Sequence, residues 1–380
     1  MEINLDSIPL LDNHAHPFPS KRAENKPFVQ ILAQAIWEQE PENVYNSLMF
    51  HMYTNQLKEF LGLPLTASID EMLEVRNARL LGNRKEYINS LFHDANLMGM
   101  IADVGFPLSK RLNEEEIREF DDDMEGFVQK KINRVELVCE DILEEGVISF
   151  EEFTERYVNG IKAMALDQKL VALKSIIAYR TGLDIRVHSD QNAKKYYYLY
   201  LSDPSKREYE KVLRDYCFTK ACEVCAELDI PLQVHTGIGD TPLLNVYNTN
   251  PALMFDVLNA YRSTKIVLIH AGYPHCEVLG FLMNHYDNVY GDTSLMIPFA
   301  GQAGDTKLKA LLEMAPTNKL MYGSDGGFIP EHVWYGAKMF RVYLRDTLQY
   351  LVDKKYITYD FAMTSARNIM YENAKRLYKI

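Results

Sequence analysis

The sequence predicts an α/β fold, a (β/α)8 TIM barrel with a helical insertion after its first strand. Two observations support this prediction. Short apolar or β-branched runs recur along the 380 residues and alternate with longer segments of helical period, which is typical of βα units around a parallel sheet. The candidate strand ends His235, His270 and Asp292 follow one another at intervals of 35 and 22 residues, spacings expected of strand-plus-helix units.

Eight runs are strand candidates, and eight βα units make one barrel. In chain order they are Ile8–Asp12, Met98–Val104, Val135–Cys139, Val171–Ala178, Pro231–His235, Lys265–His270, Val289–Asp292 and Lys319–Tyr322. Helical patterns lie between most of them, for example over Lys206–Leu228 and Lys307–Ala315. Two final helices, Trp334–Lys354 and Asp360–Tyr378, complete the outer ring. Because no linker or repeat interrupts the chain, we expect a single domain over residues 1–380.

The interval between the first two candidate strands is long, at about 80 residues. It is rich in helix formers, with helical patterns over Val29–Glu38, Asn43–Leu61 and Ile69–Leu81. We therefore expect residues 18–90 to form a helical insertion on the face where barrel loops build active sites. There it would cap the site.

Composition excludes several classes of partner. The formal net charge is −12 and the chain has no long basic run, which argues against binding to nucleic acid or to an anionic membrane surface. The apolar stretches are too short for a membrane helix, and the first residues lack the basic region of a signal peptide. Five cysteines in so long a chain indicate free thiols in a reducing compartment. We expect a cytoplasmic protein that binds a small molecule, with a homo-oligomer left open.

Four histidines and one aspartate stand at the ends of candidate strands. His14 and His16 are two residues apart, so the strand period of two sends both side chains to one face. His235 and His270 end the fifth and sixth runs, and Asp325 follows the eighth. A single strand-end histidine is more often a hydrogen-bonded packing residue. Five such residues at one barrel face, however, are the ligand types of zinc or a similar divalent ion.

Lys174 lies within an apolar strand candidate, where burial would lower the pKa of its amine. A neutral amine can take up carbon dioxide and become a carbamate that bridges two metals. Alternatively, the side chain stays an ammonium that pairs with Asp325 or a substrate carboxylate, or it reaches the rim of the barrel to a loop carboxylate. The residue type alone leaves these alternatives open.

Further candidates follow the strand ends. Tyr179, Arg180 and Asp103 are placed to line a pocket, and Arg180 would hold a substrate carboxylate or else form a salt bridge within the rim. Cys222 and Cys225 form a CxxC pattern, but they lie in a helical segment without a second pair, so core packing is favoured over zinc binding.

These residues carry a resemblance to the amidohydrolase superfamily of metal-dependent barrel hydrolases. More narrowly, four segments resemble the branch that includes the amidohydrolase-like domain fused to glutamine synthetase in some fungi and plants. The segments are Leu11-Asp12-Asn13-His14-Ala15-His16-Pro17, Lys174-Ser175-Ile176-Ile177-Ala178-Tyr179-Arg180-Thr181-Gly182-Leu183, Gln233-Val234-His235-Thr236-Gly237 and Tyr322-Gly323-Ser324-Asp325. The resemblance implies that the paired histidines, His235 and Asp325 hold one metal. It also implies that a carboxylated Lys174, with His270, can hold a second.

On this basis we expect a metal-dependent hydrolase, with zinc as the favoured cofactor in one or two copies. It would cleave an amide or other C–N bond of a small anionic substrate by metal-activated water. Asp325 would carry the proton, and His270, if it binds no metal, would donate to the developing oxyanion. The alternative is a single-metal decarboxylase acting on a small carboxylic acid, since the branch also contains such enzymes. A third reading is a metal-bound sensor that retains the fold only for binding.

Overall fold

The computed structural model describes residues 2–23, 27–32, 39–106, 111–240 and 244–380, and within these ranges eight parallel strands form one sheet. The strands are β1 Leu10–Ala15, β2 Leu97–Asp103, β3 Val128–Arg134, β4 Ala172–Ser175, β5 Leu232–His235, β6 Ile266–Ile269, β7 Val289–Asp292 and β8 Leu320–Met321. Each strand pairs with the next in the sequence. The Asn13 amide donates to the Tyr322 carbonyl at 2.9 Å, and the Asp325 amide donates to the His14 carbonyl at 2.8 Å. These two bonds join the last strand to the first, so the predicted (β/α)8 barrel is confirmed.

Helices surround this barrel. In the described ranges they are α1 Ser20–Ala23, α2 Phe28–Ile31, α3 Pro41–Tyr45, α4 Leu48–Leu61, α5 Ile69–Gly82, α6 Arg84–Asp94, α7 Glu114–Asp123, α8 Val135–Glu144, α9 Phe150–Asp167, α10 Ile177–Arg180, α11 Asp190–Ser202, α12 Arg207–Leu228, α13 Phe255–Ala260, α14 Cys276–His285, α15 Met296–Phe299, α16 Gly304–Leu312, α17 Pro330–Asp353, α18 Tyr359–Arg367 and α19 Asn373–Tyr378. Short 3₁₀ turns cover Val246–Thr249, Pro251–Met254, His270–Gly272 and Gly301–Ala303, and a π turn covers Asn368–Glu372.

The predicted fourth strand Val171–Ala178 runs too far, because Ile177 and Ala178 begin helix α10. The third strand is the one whose predicted position is wrong. The prediction was Val135–Cys139, but that segment begins helix α8, and the strand is the preceding Val128–Arg134. The strand was overlooked because its first half is polar and only half-buried, with Lys131 paired to Asp121 at 2.7 Å. The apolar residues of α8 recur at helical rather than strand spacing. The correction moves Arg134 to the end of a barrel strand.

Two layers of apolar side chains hold the fold together. A small cluster combines strand residues, among them Leu11, Ile101 and Val267, with Leu377 and Tyr378 of the last helix. A larger cluster fills the space between the sheet and the surrounding helices. Strands that are buried on both faces read as continuous apolar runs, which is why most of them could be located from sequence.

Helices α4 to α6 pack against the first turns of α17, which follows β8. Arg76 donates to Glu331 through Nε at 2.5 Å and through Nη2 at 3.1 Å, and the Tyr87 hydroxyl donates to the same carboxylate at 2.8 Å. The Phe60 ring lies 5.3 Å from that of Trp334. Helices α4 to α6 of the insertion are therefore docked beside the carboxyl end of a barrel strand.

One predicted insertion helix is divided in two, and another lies partly outside the described residues. The pattern over Asn43–Leu61 is broken into α3 and α4 at Ser47, whose hydroxyl accepts from the Phe50 amide and starts the second helix. The pattern over Val29–Glu38 is helical only in its first residues within the described ranges, and positions 33–38 lie outside them.

The five cysteines are buried free thiols. Among the described residues, no helix combines the length and apolarity that a membrane span requires.

Candidate metal centre

A cavity of about 870 Å³ opens at the carboxyl ends of the strands. This is the end at which barrel enzymes place their active sites. Eight of the predicted site residues line it: His14, His16, Lys174, Tyr179, Arg180, His235, His270 and Asp325. Asp103, which was also predicted to line the pocket, is fully buried and is not among the lining residues. The structure therefore brings together side chains that are separated by more than 300 residues along the chain.

The centre of the group is the carboxylate of Asp325. Its Oδ1 lies 3.0 Å from Nε2 of His14 and 3.1 Å from Nε2 of His16. One nitrogen of His270 also lies within 4.8 Å of the donor atoms of His14 and Asp325. The donor atoms of His14, His270 and Asp325 are therefore close enough to share one cation, and His16 contacts the same carboxylate.

The residues beyond this group determine which imidazole nitrogen faces it. Nδ1 of His14 lies 2.7 Å from the side-chain carbonyl of Gln233, and Nδ1 of His270 lies 2.8 Å from the Ser294 hydroxyl. The Ser294 hydroxyl donates to Asp292 at 2.7 Å, so it accepts from His270. Both histidines therefore carry their proton on Nδ1, which leaves Nε2 as a lone-pair donor.

Two of these residues adopt a left-handed backbone conformation. The φ angles of His270 and Asp325 are 68° and 57°, a region that is uncommon for residues with a side chain. The His270 amide donates to the Asp292 carboxylate at 2.8 Å, and the Asp325 amide is held by the His14 carbonyl. Such conformations persist where surrounding hydrogen bonds enforce them, and they concentrate at functional sites.

His235 is in the cavity but outside the tight group. Its Nε2 donates to the Ile238 carbonyl at 2.9 Å, and its ring lies 4.3 Å from that of His270 and 4.6 Å from that of Tyr179. In the described part of the chain, neither group of potential metal ligands includes His235. Its imidazole would have to exchange the carbonyl contact for a metal in order to act as a ligand.

Lys174 ends in the middle of the site. Its amine lies 3.2 Å from Nε2 of His14, and the residue is 1% exposed. Burial lowers the pKa of Lys174 to about 8, although the carboxylates of Asp103 and Asp325 oppose that shift. A substantial part of this amine is therefore neutral at slightly alkaline pH.

The protonation states suit a divalent cation. Burial, assisted by the charge of Lys174, lowers the pKa of His14 to about 4. Burial alone would raise the pKa of Asp325, but the imidazoles of His270, His14 and His16 beside it hold it well below the usual range. Neutral imidazoles and an ionised carboxylate are the forms that bind metal. The residues present therefore fit the metal that the sequence predicts.

A second group joins His14, His16 and Asp103, whose potential donor atoms also lie within 4.8 Å of one another. The Asp103 carboxylate accepts from Arg134 Nε at 2.8 Å, and the guanidinium of Arg134 lies 5.3 Å above the Phe106 ring. Sequence reasoning missed Arg134 because it placed the third strand one element too late. The basic residue at the end of the run Val128–Arg134 is the sequence feature that could have identified Arg134 as a site residue.

Two predicted pocket residues lie on the short helix α10. Arg180 donates through Nε and Nη2 to Oε1 of Glu140, at 3.1 and 2.9 Å, so in this structure it forms the rim salt bridge. The Tyr179 hydroxyl accepts from the Asp240 amide at 3.0 Å, and burial raises the pKa of this phenol. Both side chains line the cavity.

A barrel with imidazoles and a carboxylate gathered at its strand ends defines the class of metal-dependent barrel enzymes. The amidohydrolase family model matches residues 122–380, and the chain belongs to that family. The chain is also 27% identical to protein FluG of Emericella nidulans across 99% of its own length. It spans only 46% of FluG, so it matches about half of that protein.

Solved structures agree with this membership. A protein of Lactobacillus casei assigned as a metal-dependent hydrolase is 25% identical, with a TM-score of 0.83 over 99% of this chain and 96% of that one. The uronate isomerase of Thermotoga maritima is 14% identical, with a TM-score of 0.71 over 98% of this chain and 95% of its own. The second likeness shows a shared fold, and the family as a whole consists of enzymes for small molecules.

Proposed function

We propose that this protein is a metal-dependent hydrolase that cleaves an amide or other C–N bond in a small substrate carrying an anionic group. The observation that carries the proposal is the convergence of His14, His16 and His270 on Asp325, with the Lys174 amine 3.2 Å from His14. A buried lysine among metal-ligand types favours a two-metal hydrolytic centre over a single-metal decarboxylase.

In this proposal, two sets of residues hold divalent ions, with zinc favoured by the imidazole and carboxylate donors. His14, His16, His235 and Asp325 hold the first ion. Lys174, as a carbamate, and His270 hold the second. When bound, the metal supplies Lewis acidity to the scissile carbonyl and makes water a stronger nucleophile near neutral pH.

The protein's own groups would handle the proton and the substrate. Asp325 accepts the proton of the attacking water and returns it to the leaving nitrogen, because its pKa is low enough to keep it ionised beforehand. If His270 holds no metal, its imidazole would have to gain a proton on Nε2 before it could donate to the developing oxyanion, because its Nδ1 proton faces Ser294. Tyr179 and Arg180 line the cavity and would contact the substrate, with Arg180 exchanging Glu140 for a substrate carboxylate.

We assign residues 18–90 the role of a cap within a single domain of residues 1–380. Ile31 of this segment lines the cavity, and helices α4 to α6 pack against α17 beside the end of β8. Because loops at this end of a barrel set specificity, removing the cap should weaken substrate binding more than metal binding.

A paired product assay tests the reaction. Zinc-loaded protein is incubated with a panel of N-acyl amino acids and amino acid amides, and with a panel of aromatic carboxylic acids. Amine release is measured in parallel with carbon dioxide release. The proposal expects amine release that Asp325→Asn abolishes and that an exposed control, His285→Ala, retains. Carbon dioxide release without amine release would instead identify the decarboxylase alternative.

A further inference from the structure

A row of alternating charges lines the cavity beside the candidate metal centre. It consists of Glu210, Arg214, Glu140 and Arg180, and we refer to these four residues as the charged row. Glu210 and Arg214 lie in the first two turns of α12, Glu140 lies on α8, and Arg180 ends α10. Helices that follow barrel strands begin at the active-site end, which explains why these segments reach the cavity.

The contacts along the charged row are incomplete. Arg180 donates both of its hydrogen bonds to one oxygen of Glu140, Oε1. Nη1 of Arg214 lies 3.6 Å from that same oxygen, beyond hydrogen-bonding distance, and its Nε reaches Glu210 at 3.3 Å. Two guanidinium groups therefore share one carboxylate oxygen, although each could form a paired contact with a carboxylate of its own.

Arg214 is the residue that most clearly lacks an acceptor. Its residue exposure is only 8%, and Nη1 is buried without a hydrogen-bond partner among the described residues. A buried donor on a charged group is costly when it is left unsatisfied. Nη1 itself is enclosed by protein, but Arg214 also lines the cavity, so a carboxylate bound there would have to draw the guanidinium toward it in order to supply the missing acceptor.

The charges on this wall of the cavity favour a ligand that carries more than a carboxylate. Together with Glu144, which also lines the cavity, the charged row presents three carboxylates and two guanidinium groups. A ligand end that is only anionic would meet the excess of carboxylates, and one that is only cationic would meet the two guanidinium groups. A group that carries an ammonium and a carboxylate on the same carbon can satisfy both kinds of partner.

We propose that the charged row binds the zwitterionic end of an α-amino acid, with its carboxylate on Arg214 and its ammonium on Glu210. This inference deepens the proposed function and rests on it. The substrate would then be an amide that has a free α-amino acid at one end and the scissile C–N bond at the histidine end. A cavity of about 870 Å³ is of the size that holds such a small molecule.

Matched ligands test this assignment by binding alone. L-glutamate has a distal carboxylate and an α-amino acid end, glutarate lacks the ammonium, and 4-aminobutyrate lacks the α-carboxylate. A second triplet, L-2-aminoadipate, adipate and 5-aminopentanoate, extends the span by one methylene. Dissociation constants for zinc-loaded protein are measured by calorimetry. We expect the amino acid in at least one triplet to bind about tenfold or more tightly than both of its partners.

Variants then separate the two charges. Arg214→Met should bring the affinity for the amino acid down to that for the ligand lacking the α-carboxylate. Glu210→Gln should bring it down to that for the ligand lacking the ammonium. Arg207→Met removes an exposed guanidinium from the same helix and should change neither ratio. If circular dichroism shows that Arg214→Met is unfolded, Arg214→Lys and Glu210→Gln carry the test, since each retains a polar side chain.

Equal affinities within both triplets for the wild type would overturn the inference, as would an unchanged preference in folded Arg214 and Glu210 variants. Repeating the titrations after chelation separates this result from the proposed function. If the wild type does not prefer the amino acid to its matched ligands but still needs metal to bind them, only the amino acid assignment is contradicted. If the wild type prefers the amino acid but binds it equally well with and without metal, only the proposed metal-dependent function is contradicted.

Discussion

The side-chain carbonyl of Gln233 lies 2.7 Å from Nδ1 of His14, and this contact determines how the histidine faces the cavity. The amide nitrogen of Gln233 donates to the Asn13 carbonyl at 3.1 Å and to the Tyr378 hydroxyl at 2.8 Å, so its carbonyl must point toward His14. The last helix thereby supports a metal-ligand candidate in the first strand. Such a partner also raises the basicity of the free imidazole nitrogen.

Gln233→Leu should lower zinc affinity about 10- to 100-fold, because the Nδ1 proton of His14 loses its acceptor. Gln233→Glu retains an acceptor and should retain most of the affinity. Competition with a chromophoric chelator measures both variants. An unchanged zinc affinity in folded Gln233→Leu would contradict the role assigned to this contact.

A double variant tests the metal centre directly. His14→Ala combined with His16→Ala removes two imidazoles that lie within 3.1 Å of the Asp325 carboxylate, so purified protein should lose its divalent metal. Elemental analysis gives the metal content, and thermal melting shows whether unfolding stays cooperative. His285→Ala serves as the control because its imidazole is exposed and contacts the Phe281 carbonyl at 3.0 Å. Full metal content in the double variant would show that the ion is held elsewhere.

The sequence predicted most of the barrel because apolar strands and amphipathic helices differ in period. It located His14, His235 and His270 at strand ends for the same reason. It did not locate β3, whose sequence Val-Gln-Lys-Lys-Ile-Asn-Arg is polar because its first half is only partly buried. A single sequence carries little signal for such a strand, since pairing with its neighbours outweighs local pattern.

The partners of each side chain were also beyond the reach of sequence. From sequence, Arg180 could either bind substrate or close a rim salt bridge, and only the folded arrangement brings Glu140 to it. Likewise, Gln233 stood beside His235 in a recognised segment without any indication that it contacts His14. Contacts between residues far apart in the chain depend on barrel register and on helix placement, which local patterns do not specify.

The buried pair of Arg76 and Glu331 should be important for stability. Glu331 is fully buried, and it accepts from both Arg76 and Tyr87. Arg76→Met would leave this carboxylate without its cation, which typically costs about 3–5 kcal/mol. Denaturant unfolding measures the loss. Lys21→Met breaks an exposed pair with Glu115 and should have far less effect.

The same pair predicts a dependence on pH. Burial alone would raise the pKa of Glu331, but Arg76 and the hydrogen bonds to the carboxylate hold it below its usual value. A depressed pKa contributes stability above the unfolded value, and that contribution is lost as the pH falls through the acid range. In Arg76→Met the Glu331 carboxylate is buried without a cation, so its protonation at low pH removes the cost of the buried charge. The difference in unfolding free energy between wild type and Arg76→Met should therefore be larger at pH 7 than at pH 4, and equal differences at both would contradict this.

The final prediction concerns Lys174, whose amine is almost completely buried and lies 3.2 Å from Nε2 of His14. We expect this amine to react with carbon dioxide, forming a carbamate and releasing one proton. The carbamate supplies the second carboxylate that two adjacent cations require. It would bridge them, with His270 on the second ion.

Lys174→Ala should then lose one metal equivalent and the hydrolytic activity. Adding bicarbonate should speed the reconstitution of wild-type apoprotein but not of the variant, since only the wild type has an amine to modify. Metal analysis and a high-resolution density map of the lysine side chain check both points. A free ammonium beside a single metal held by His14, His16, His235 and Asp325 would contradict the bridge. That outcome would favour the single-metal decarboxylase, because a non-hydrolytic reaction does not need the second cation.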